Sequence, residues 1–512
     1  MENMKIRSVK FNFIMNFILT ASSVIFPLIT APYIFRTLQP AGSGKVDSAA
    51  AIITYFMMFA SLGIPTYGIR TCAKVRDDKE KLSKTVQELM IINTVSMLIS
   101  FTVFLIMLAV VPEFAEERTL LLINSISMVL NVIGVSWFYN AIEQYAYITT
   151  CSIVFKIISI IMMFLWVKSP EDYITYGAIT VFAGSASYVL NFWNLRKYIS
   201  FKKTGPYDFR QHIKPILIFF ATSAAISVYT NLDIVMIRFM RGSTEVGYYT
   251  AAIKVKTLLV SLITSLGTVL LPRLSYYIEK GEKQAFHRMV VKAFDFVIMI
   301  GLSVTVYFIF MAKESILLLA GDQFGPSVLP MQILMPAVLF IGLSNITGIQ
   351  ILTPQGFENK VVYSIIYGAV LDFVLNLALI GNYGAAGAAF ATLLAELIVL
   401  VVQCIYLRKM LRGLVRKISI RENLLASLVS LGVLLVTRSF LPLPDGASEL
   451  QIFLNLAVTA VLFFGCYGGL LLIQKEKFVM EIIGKIFWER WKKHGEDQEN
   501  TLENRDQQDK EI

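Results

Sequence analysis

Charged residues are scarce in this sequence. Asp, Glu, Lys and Arg make up 16% of the 512 residues, and 56% of the residues are hydrophobic, whereas a soluble protein carries roughly 25% charged residues. A helix that crosses a bilayer needs roughly 20 mostly apolar residues, and many stretches of the chain reach this length. The shortage of charge therefore excludes a soluble globular protein. It predicts an all-α polytopic membrane protein without a large soluble domain.

Cysteine, histidine and the short motifs of enzymes are also rare or missing. The chain has four cysteines, none with metal-ligand spacing, and three histidines, which argues against a disulfide framework and a metal centre. The sequence contains no Walker, G-x-S-x-G, H-E-x-x-H or Gly-rich nucleotide motif, so we do not expect ATP hydrolysis by this chain. We predict that the protein is not an enzyme and has no resident cofactor or metal. A coupling ion, H⁺ or Na⁺, is left open.

Fourteen apolar segments are long enough to cross a bilayer. We predict helices because backbone polar groups in hydrocarbon must be satisfied within their own segment, and because the segments are far longer than barrel strands. The first segment is too long for a secretory signal, so we expect it to be retained. The predicted spans are 11–35, 46–69, 87–111, 119–139, 147–167, 173–193, 215–238, 246–271, 292–311, 328–353, 361–380, 385–407, 422–440 and 451–473.

Lysine and arginine cluster in alternate connections between these spans. The clusters lie at 5–10, 70–84, 196–214, 273–292, 408–421 and from 475 onward. The other connections hold at most one or two basic residues each, so the positive-inside rule predicts a cell-membrane protein with both termini in the cytoplasm. The net charge of +10 then reflects contact with anionic lipid headgroups. We expect no nucleic-acid partner.

One pattern of arginine and glycine occurs twice. It begins in YIFRTLQPAGSG, from Tyr33, and again in VMIRFMRGSTEVG, from Val235. In both copies the glycine precedes a second arginine by 26 residues. The pattern consists of Arg36, Gly44 and Arg70 in the first copy and of Arg238, Gly247 and Arg273 in the second.

Six predicted spans separate the two copies, so both copies have the same orientation in the membrane. This arrangement indicates a parallel repeat about an axis along the membrane normal. We predict two six-helix lobes with two further helices at the C-terminal side. The predicted divisions are an N-lobe at 1–195, a cytoplasmic linker at 196–214, a C-lobe at 215–412, two spans within 413–474, and a cytoplasmic amphipathic helix with a disordered tail at 475–512.

Ionisable residues in and beside the spans form the candidate site, because a charge in hydrocarbon costs a few kcal/mol and usually serves a function. Their cations would attract a phosphate or pyrophosphate, since arginine offers a fork of donors and lysine a point charge. Asp233 would pair with one of these cations or take part in ion coupling. The predicted lining of a central cavity is Arg36, Lys156, Asp233, Arg238, Lys254 and Lys256.

Other roles for these residues are also consistent with the sequence. The charged groups inside the spans could form ion pairs between packed helices, and the same holds for Asp372 and Glu396. The arginines at the helix ends, Arg36 and Arg238, could reach the lipid headgroups. The second arginines of the repeat, Arg70 and Arg273, are predicted to lie at a cytoplasmic gate.

Four stretches of the sequence carry a family resemblance. They are the segment from YIFRTLQPAGSG to RDDKEKLSK, then LDIVMIRFMRGSTEVGYYTAAIKV, LPRLSYYIEKGEK, and GDQFGPSVLPMQILMPAVLFIGLSNITGIQILTPQGFENK with LNLALIGNYGAAGAAFATLLAELIVL. In this order they resemble polysaccharide biosynthesis membrane proteins, the Wzx-type oligosaccharide flippases of the MATE-like MOP superfamily. One departure is Gln39, where the family usually has the glycine of R-x-L-G-P.

The resemblance implies a V-shaped, two-lobed bundle of MATE-like fold. It also implies a flippase that moves undecaprenyl-pyrophosphate-linked oligosaccharide from the cytoplasmic to the outer leaflet by alternating access, for export of cell-surface polysaccharide. The substrate and the bilayer would be its partners, together with a polysaccharide polymerase and export machinery. An ion gradient or the membrane potential would drive the movement, and the predicted cationic cavity fits a pyrophosphate head.

Three alternative functions compete with this one. A MATE-type cation-coupled multidrug exporter should line its cavity with net carboxylate, whereas the predicted cavity is rich in cations. A membrane glycosyltransferase or polymerase needs substantial outer loops, and the longest connection on that side is about fifteen residues. A lipid II flippase handles the same polyprenyl pyrophosphate, so the chemistry of the sequence separates it poorly from the first function.

Overall fold

The structure is a computed structural model that describes residues 8–203, 205–444, 446–481 and 483–484. Within these residues the regular elements are helices, and none is a strand. The first half contains α1 (Val9–Ser61), α2 (Ile64–Val75), α3 (Lys79–Val110), α4 (Arg118–Gly134), α5 (Ser136–Ala141), α6 (Tyr145–Trp166), α7 (Tyr173–Ser185), α8 (Ser187–Leu195) and α9 (Arg210–Arg241). The second half contains α10 (Ser243–Glu279), α11 (Lys283–Phe310), α12 (Ala312–Ala320), α13 (Val328–Asn345), α14 (Glu358–Tyr406), α15 (Arg408–Leu414), α16 (Ile420–Phe440) and α17 (Glu449–Ile473).

In this part of the chain, twelve helical stretches are long and apolar enough to cross a membrane. This confirms the prediction of an all-α polytopic membrane protein, while the number fourteen stays a prediction. The two longest helices, α1 and α14, have 53 and 49 residues, about twice the length that one crossing needs. Each is interrupted by one residue with non-helical backbone, Gln39 and Gly384. Both residues lie in connections that the sequence predicts between two spans.

Large apolar side chains cover much of the exterior. Phe440, Ile473 and Val461 are 79%, 78% and 72% exposed. A soluble monomer rarely exposes apolar surface on this scale, whereas hydrocarbon chains solvate such side chains well. The exterior therefore agrees with a multi-pass membrane protein.

The chain forms two compact units. Among the described residues, the first comprises those within 8–259, 312–337 and 359–401, and the second comprises those within 260–311, 338–358 and 402–484. The core of the first unit includes Phe56, Phe104 and Leu120, and that of the second includes Tyr307 and Phe463. The lobe boundaries predicted from the repeat stay a prediction. Of the predicted C-terminal helix and tail at 475–512, residues 482 and 485–512 lie outside the described part.

The two repeat glycines lie where α1 and α10 cross, within the first unit. A Cβ atom on Gly44 would lie 1.8 Å from the carbonyl oxygen of Ser243, and one on Gly247 would lie 2.1 Å from that of Pro40. Only glycine allows such an approach between two backbones. Each glycine thus meets the carbonyl group four residues before the other glycine, which is a reciprocal contact between equivalent positions of the repeat.

The residue just before each crossing segment also has equivalent backbone in the two copies. Gln39 has φ 61° and ψ 177°, and Gly242 has φ 91° and ψ 178°. Each lies five residues before its repeat glycine. This region of backbone space is nearly restricted to glycine, so the first copy holds glutamine in a strained conformation. The turn at residue 39 therefore has a backbone conformation typical of glycine, although the residue is glutamine.

Candidate functional site

Three buried carboxyl groups lie close together inside the first unit, and we call Asp233, Asp372 and Glu396 the carboxylate cluster. Asp233 belongs to α9, and the other two belong to α14. Their side chains are 7%, 1% and 9% exposed. Because a buried charge needs compensation by hydrogen bonds or by an opposite charge, the partners of these groups indicate what the cluster can bind.

Asp233 is held by hydrogen bonds from two neighbouring helices. Its Oδ1 accepts a bond of 2.6 Å from Nδ2 of Asn376, and its Oδ2 accepts one of 2.7 Å from Oγ1 of Thr392. The hydroxyl of Tyr249, in α10, also donates to Oδ2 and lies 2.8 Å from Oγ1 of Thr392. These bonds fix the carboxylate and leave little freedom for its side chain.

The other two carboxyl groups of the cluster have unsatisfied or cationic surroundings. Asp372 lies beside Asp233, and Lys256 is close to both Asp372 and Glu396. Oδ1 of Asp372 and Oδ1 of Asn376 are buried, and neither has a hydrogen-bond partner among the described residues. Two unsatisfied acceptor oxygens therefore lie in this region, although the described residues contain no group of three or more His, Cys, Asp or Glu side chains arranged to hold a metal ion. The predicted site residues Asp233 and Lys256 belong to this region.

Lys254 lies apart from the cluster, against α1. Its Nζ is 3.6 Å from Oδ2 of Asp47 and 4.3 Å from the ring centroid of Phe35. Both charged side chains are about one quarter exposed, at 29% and 26%. The predicted cavity cation therefore has a carboxylate partner that sequence reasoning did not single out.

Lys156, in the middle of α6, contacts hydroxyl groups. Its Nζ donates to Oγ of Ser22 at 2.9 Å and to Oγ of Ser23 at 3.0 Å, and it lies 5.7 Å from the ring centroid of Phe26. In the described part of the chain, no carboxylate lies within ion-pair distance of this half-buried lysine. Its positive charge is therefore not neutralised by an acidic side chain there.

Arg36 and Arg238 are the first arginines of the two repeat copies. Each contacts a segment from the predicted lobe that contains the other copy. Nη2 of Arg36 donates to the carbonyl oxygens of Leu317 and Leu318, at 3.3 and 2.7 Å, in α12, which follows α11. Nη2 of Arg238 lies 3.2 Å from a carboxylate oxygen of both Glu116 and Glu117, in the segment that follows α3. The two arginines thus hold this end of the helices together through exchanged contacts.

Glu117 is the buried member of the Arg238 contact. It is 3% exposed, and its Oε1 accepts a hydrogen bond of 2.9 Å from Oγ of Ser243. Burial raises the pKa of the Glu117 carboxyl above its usual range, and the nearby Arg238 offsets only part of this effect. The desolvation of the carboxylate outweighs its attraction to the arginine.

Arg70 and Arg273, predicted for a cytoplasmic gate, are exposed residues of α2 and α10. The six residues predicted for the cavity have different partners. Lys156 contacts serine hydroxyls, and Lys254 contacts an aspartate. Asp233 and Lys256 belong to the region of the carboxylate cluster, and Arg36 and Arg238 contact segments at the helix ends. Contact between any of these eight residues and a substrate stays a prediction. Sequence reasoning missed Tyr249, Asn376 and Thr392, because neutral polar residues in apolar segments carry no signal of their own.

An apolar cavity of about 650 Å³ lies between α1, α3 and α9 in the first unit. Aromatic side chains form much of its wall, among them Phe56, Phe59 and Phe239. Its two serines donate their hydroxyl protons to carbonyl groups of α1. The cavity therefore offers an apolar surface for hydrocarbon. Its serine hydroxyls already donate their hydrogens to α1 and have none left for a polar ligand.

Comparison with known proteins gives consistent matches. A family profile described as "Polysaccharide biosynthesis protein" matches residues 9–278. The chain is 22% identical over 403 residues to a protein of Escherichia coli (strain K12) named "Putative O-antigen transporter", covering 78% of this chain and 97% of that protein. It is 20% identical over 401 residues to "Capsular polysaccharide biosynthesis protein CapF" of Staphylococcus aureus, covering 76% of this chain and 97% of that protein.

Two groups of solved structures share the fold. The structure titled "Lipid II flippase MurJ, inward closed conformation" superimposes with a TM-score of 0.72 at 15% identity, covering 91% of this chain and all of that one. An inward-facing multidrug resistance MATE family transporter of the MOP superfamily superimposes with a TM-score of 0.59 at 12% identity, covering 79% and 99%. At these identities the likeness shows the fold alone, and it confirms the predicted MATE-like architecture.

Proposed function

The chain belongs to the polysaccharide biosynthesis protein family, and from this premise we propose that it is a flippase for a lipid-linked oligosaccharide. The substrate would be an undecaprenyl-pyrophosphate-linked repeat unit that moves from the cytoplasmic to the outer leaflet of the cell membrane. Both termini would lie in the cytoplasm, and a polysaccharide polymerase with export machinery would take the product. The observation that carries the proposal is a pair of contacts made by the repeat arginines. Arg36 bonds to α12 in the second half of the sequence, and Arg238 bonds to the segment after α3 in the first half.

Those contacts have the properties that a gate requires. Arg36 and Arg238 hold the end of the helices through polar bonds to α12 and to the segment after α3. The contact of Arg238 with the exposed Glu116 can be exchanged for water at small cost, whereas the buried Arg238–Glu117 pair needs water or new partners for its charges when it separates. At the same end, Gly44 and Gly247 allow a close approach without interlocked side chains. This geometry supports alternating access, and these contacts would keep this end closed until they separate.

Lys156 is the predicted site residue best suited to an anionic head. It lies at mid-helix in α6, and its hydrogen bonds to Ser22 and Ser23 orient the ammonium group without neutralising it. A pyrophosphate would gain a charge-assisted contact there that the serines alone do not offer. The apolar cavity beside α3 would take part of the polyprenyl tail.

The flippase proposal is tested by the sidedness of the lipid-linked oligosaccharide in a strain that lacks this protein. We expect repeat units to accumulate on the cytoplasmic face and wild type to restore export. Lys156→Ala should lower export at least about tenfold, which corresponds to roughly 1.4 kcal/mol of lost interaction, and Lys156→Arg should retain most of it. The exposed Lys168, next to the end of α6, gives a matched control, and Lys168→Ala should behave as wild type.

Other outcomes of this experiment would redirect the proposal. If lipid-linked oligosaccharide does not accumulate without the protein, the flippase function is wrong, and export of cationic drugs becomes the next function to measure. If lipid II accumulates instead, the carrier chemistry is right and the glycan is different. If Lys156→Ala exports normally, Lys156 has a structural role.

We further propose that the carboxylate cluster binds the coupling ion. Asp233, Asp372 and Glu396 are buried together, and Lys256 supplies one positive charge for these three carboxyl groups. A proton or a bound cation would offset the remaining repulsion between Asp233 and Asp372. The unsatisfied oxygens of Asp372 and Asn376 would serve as ligands for Na⁺, whereas H⁺ would bind to one carboxylate oxygen of the cluster. Asp233→Asn removes one charge with little change of shape, so it should abolish gradient-driven transport.

The ion itself is identified by stability measurements on the purified protein. Na⁺ as coupling ion predicts that NaCl raises the thermal midpoint of wild type more than choline chloride does, and that Asp233→Asn loses this difference. H⁺ predicts a stability that depends on pH and is insensitive to Na⁺. The exposed Asp322 provides the control Asp322→Asn, which should keep the wild-type response. Equal responses of all three proteins to salt and pH would contradict an ion site at Asp233.

A further inference from the structure

Three of the basic clusters that the sequence places in the cytoplasm meet in one cavity of the second unit. The cavity has a volume of about 490 Å³. Arg288 comes from the start of α11, Lys417 from the segment after α15, and Lys477 from the segment after α17. These residues are far apart in the sequence, so the fold builds the cavity from separate connections.

Positive charge exceeds negative charge in this cavity. Its wall has four Lys or Arg side chains, the fourth being Lys292, along with His287, against the carboxylates of Asp295 and Glu481. Both acids are already engaged: Oε1 of Glu481 lies 2.5 Å from Nζ of Lys292, and Oδ1 of Asp295 accepts a hydrogen bond of 2.8 Å from the Ser419 amide. In the described part of the chain, neither Arg288 nor Lys417 has a carboxylate within ion-pair distance.

One side of the same cavity is apolar. Val291, Leu414 and Phe478 line it, and the ring of Phe478 packs against Phe296 at a centroid distance of 6.2 Å. The cavity also lies where membrane-spanning helices end, since α11 begins at Lys283 and α17 ends at Ile473. Cations beside an apolar wall at this depth match the two parts of a phospholipid, its phosphate and the start of its acyl chains.

We propose that this cavity binds the headgroup of an anionic phospholipid. Arg288 and Lys417 would contact the phosphate, and Leu414 with Phe478 would contact the glycerol and the first methylene groups. A zwitterionic headgroup would bring a positive charge to a wall that already has an excess of it. The inference does not depend on the flippase function, because the cavity shares no residue with the carboxylate cluster or the repeat arginines.

The test uses the purified full-length protein in detergent with three additions: phosphatidylglycerol, phosphatidylcholine and inorganic phosphate. We expect phosphatidylglycerol alone to raise the thermal midpoint, and native mass spectrometry to retain it on the protein. Removing two surface cations should weaken lipid binding by about fivefold each, so Arg288→Gln/Lys417→Gln should bind about 25-fold more weakly. The double variant Arg288→Lys/Lys417→Arg keeps both charges and should bind as wild type.

Lys283→Gln/Lys409→Gln is the matched control, because it removes two exposed charges from α11 and α15 that do not line the cavity. It should retain lipid binding. The midpoint of each variant without lipid reports whether the variant is folded. Equal binding by the cavity variant and the control, or equal effects of the two lipids, would overturn the proposal. Protection by inorganic phosphate at similar concentration would assign the cavity to a free anion instead of a lipid.

Discussion

The charged residues of the apolar helices are the part of the candidate site that the sequence indicates, and their role in binding stays a prediction. A charge such as Asp233 or Lys156 stands out in an apolar run, because burial of a charge is costly. Their partners could not be predicted, since Asp233 meets Asn376 and Thr392 more than 140 residues later. Single-sequence patterns report local periodicity, and they contain no information on which helices pack together.

Glu117 provides a prediction at the scale of one residue. Its pKa is raised by burial, so its contribution to stability is fully present below the unfolded-state pKa of about 4.3 and is lost as the pH rises through the folded-state value. Glu117→Gln removes the buried charge together with its attraction to Arg238. Because burial outweighs that attraction, we expect the variant to be at least as stable as wild type at neutral pH and less sensitive to pH.

Thermal unfolding measured in steps from pH 4 to pH 8 checks this expectation. The exposed neighbour Glu116 also contacts Arg238, so Glu116→Gln is the control and should keep the wild-type pH profile. A Glu117→Gln protein that is clearly less stable than wild type at neutral pH would show that the ion pair with Arg238 dominates.

The helix breaks at Gln39 and Gly384 show what could be predicted at the scale of an element. The hydropathy pattern placed a connection at each position, and both helices are interrupted there. The hydropathy pattern could not predict that each connection is helical on both sides of a single residue with non-helical backbone. That detail depends on backbone angles, which hydropathy does not report.

Gln39 is strained where its repeat equivalent is glycine, and this leads to a second prediction. The positive φ with extended ψ costs a glutamine about 1–3 kcal/mol, whereas glycine adopts it freely at an entropic cost of about 0.5–1 kcal/mol. We therefore expect Gln39→Gly to raise the free energy of unfolding by about 1 kcal/mol. Gly242→Gln places the same strain in the second copy and should lower the free energy of unfolding.

Thermal or denaturant unfolding of the two variants tests the pair together. Their opposite signs make the comparison sharp, because a general effect of substitution near the crossing would shift both proteins in one direction. Stabilisation of neither protein, or of both, would mean that the backbone at these positions relaxes when the side chain changes.

The architecture of the whole molecule followed from the sequence more completely than its site did. Length and hydropathy predicted an all-α polytopic membrane protein, and the family resemblance implied a MATE-like fold, which the solved structures confirm. The parallel repeat, inferred from the spacing of Arg36, Gly44 and Arg70 against their counterparts, stays a prediction. The roles of the repeat arginines were not predictable in the same way. An arginine at a helix end can bind lipid, substrate or backbone, and only the fold shows that Arg36 reaches carbonyl groups of α12.

The exchanged arginine contacts predict a change of accessibility across the molecule. Ser48 is completely buried and lies one turn after Gly44 on the same helix face. In a cysteine-free background, Ser48→Cys should react slowly with a membrane-impermeant maleimide. Adding Arg36→Gln and Arg238→Gln should increase the labelling rate several-fold, because this end of the helices opens more often.

Arg241→Gln is the control for this measurement, since Arg241 is exposed at the end of α9 and bonds to the carbonyl of Gly381. It should leave the labelling rate unchanged. If the two gate substitutions do not change the rate either, the arginines do not hold this end closed, and the glycine crossing alone determines its state.

The reciprocal crossing of α1 and α10 also constrains how the protein is made. Ser243 follows Gly44 by 199 residues, and a ribosome adds about 5–20 residues per second. For roughly 10–40 s during synthesis, α1 is therefore already in the membrane while the backbone that packs against Gly44 does not yet exist. During this time the helix face around Gly44 must be covered by lipid, by other helices of the first half or by an insertion factor. The period of greatest vulnerability to misassembly ends when α10 emerges from the ribosome.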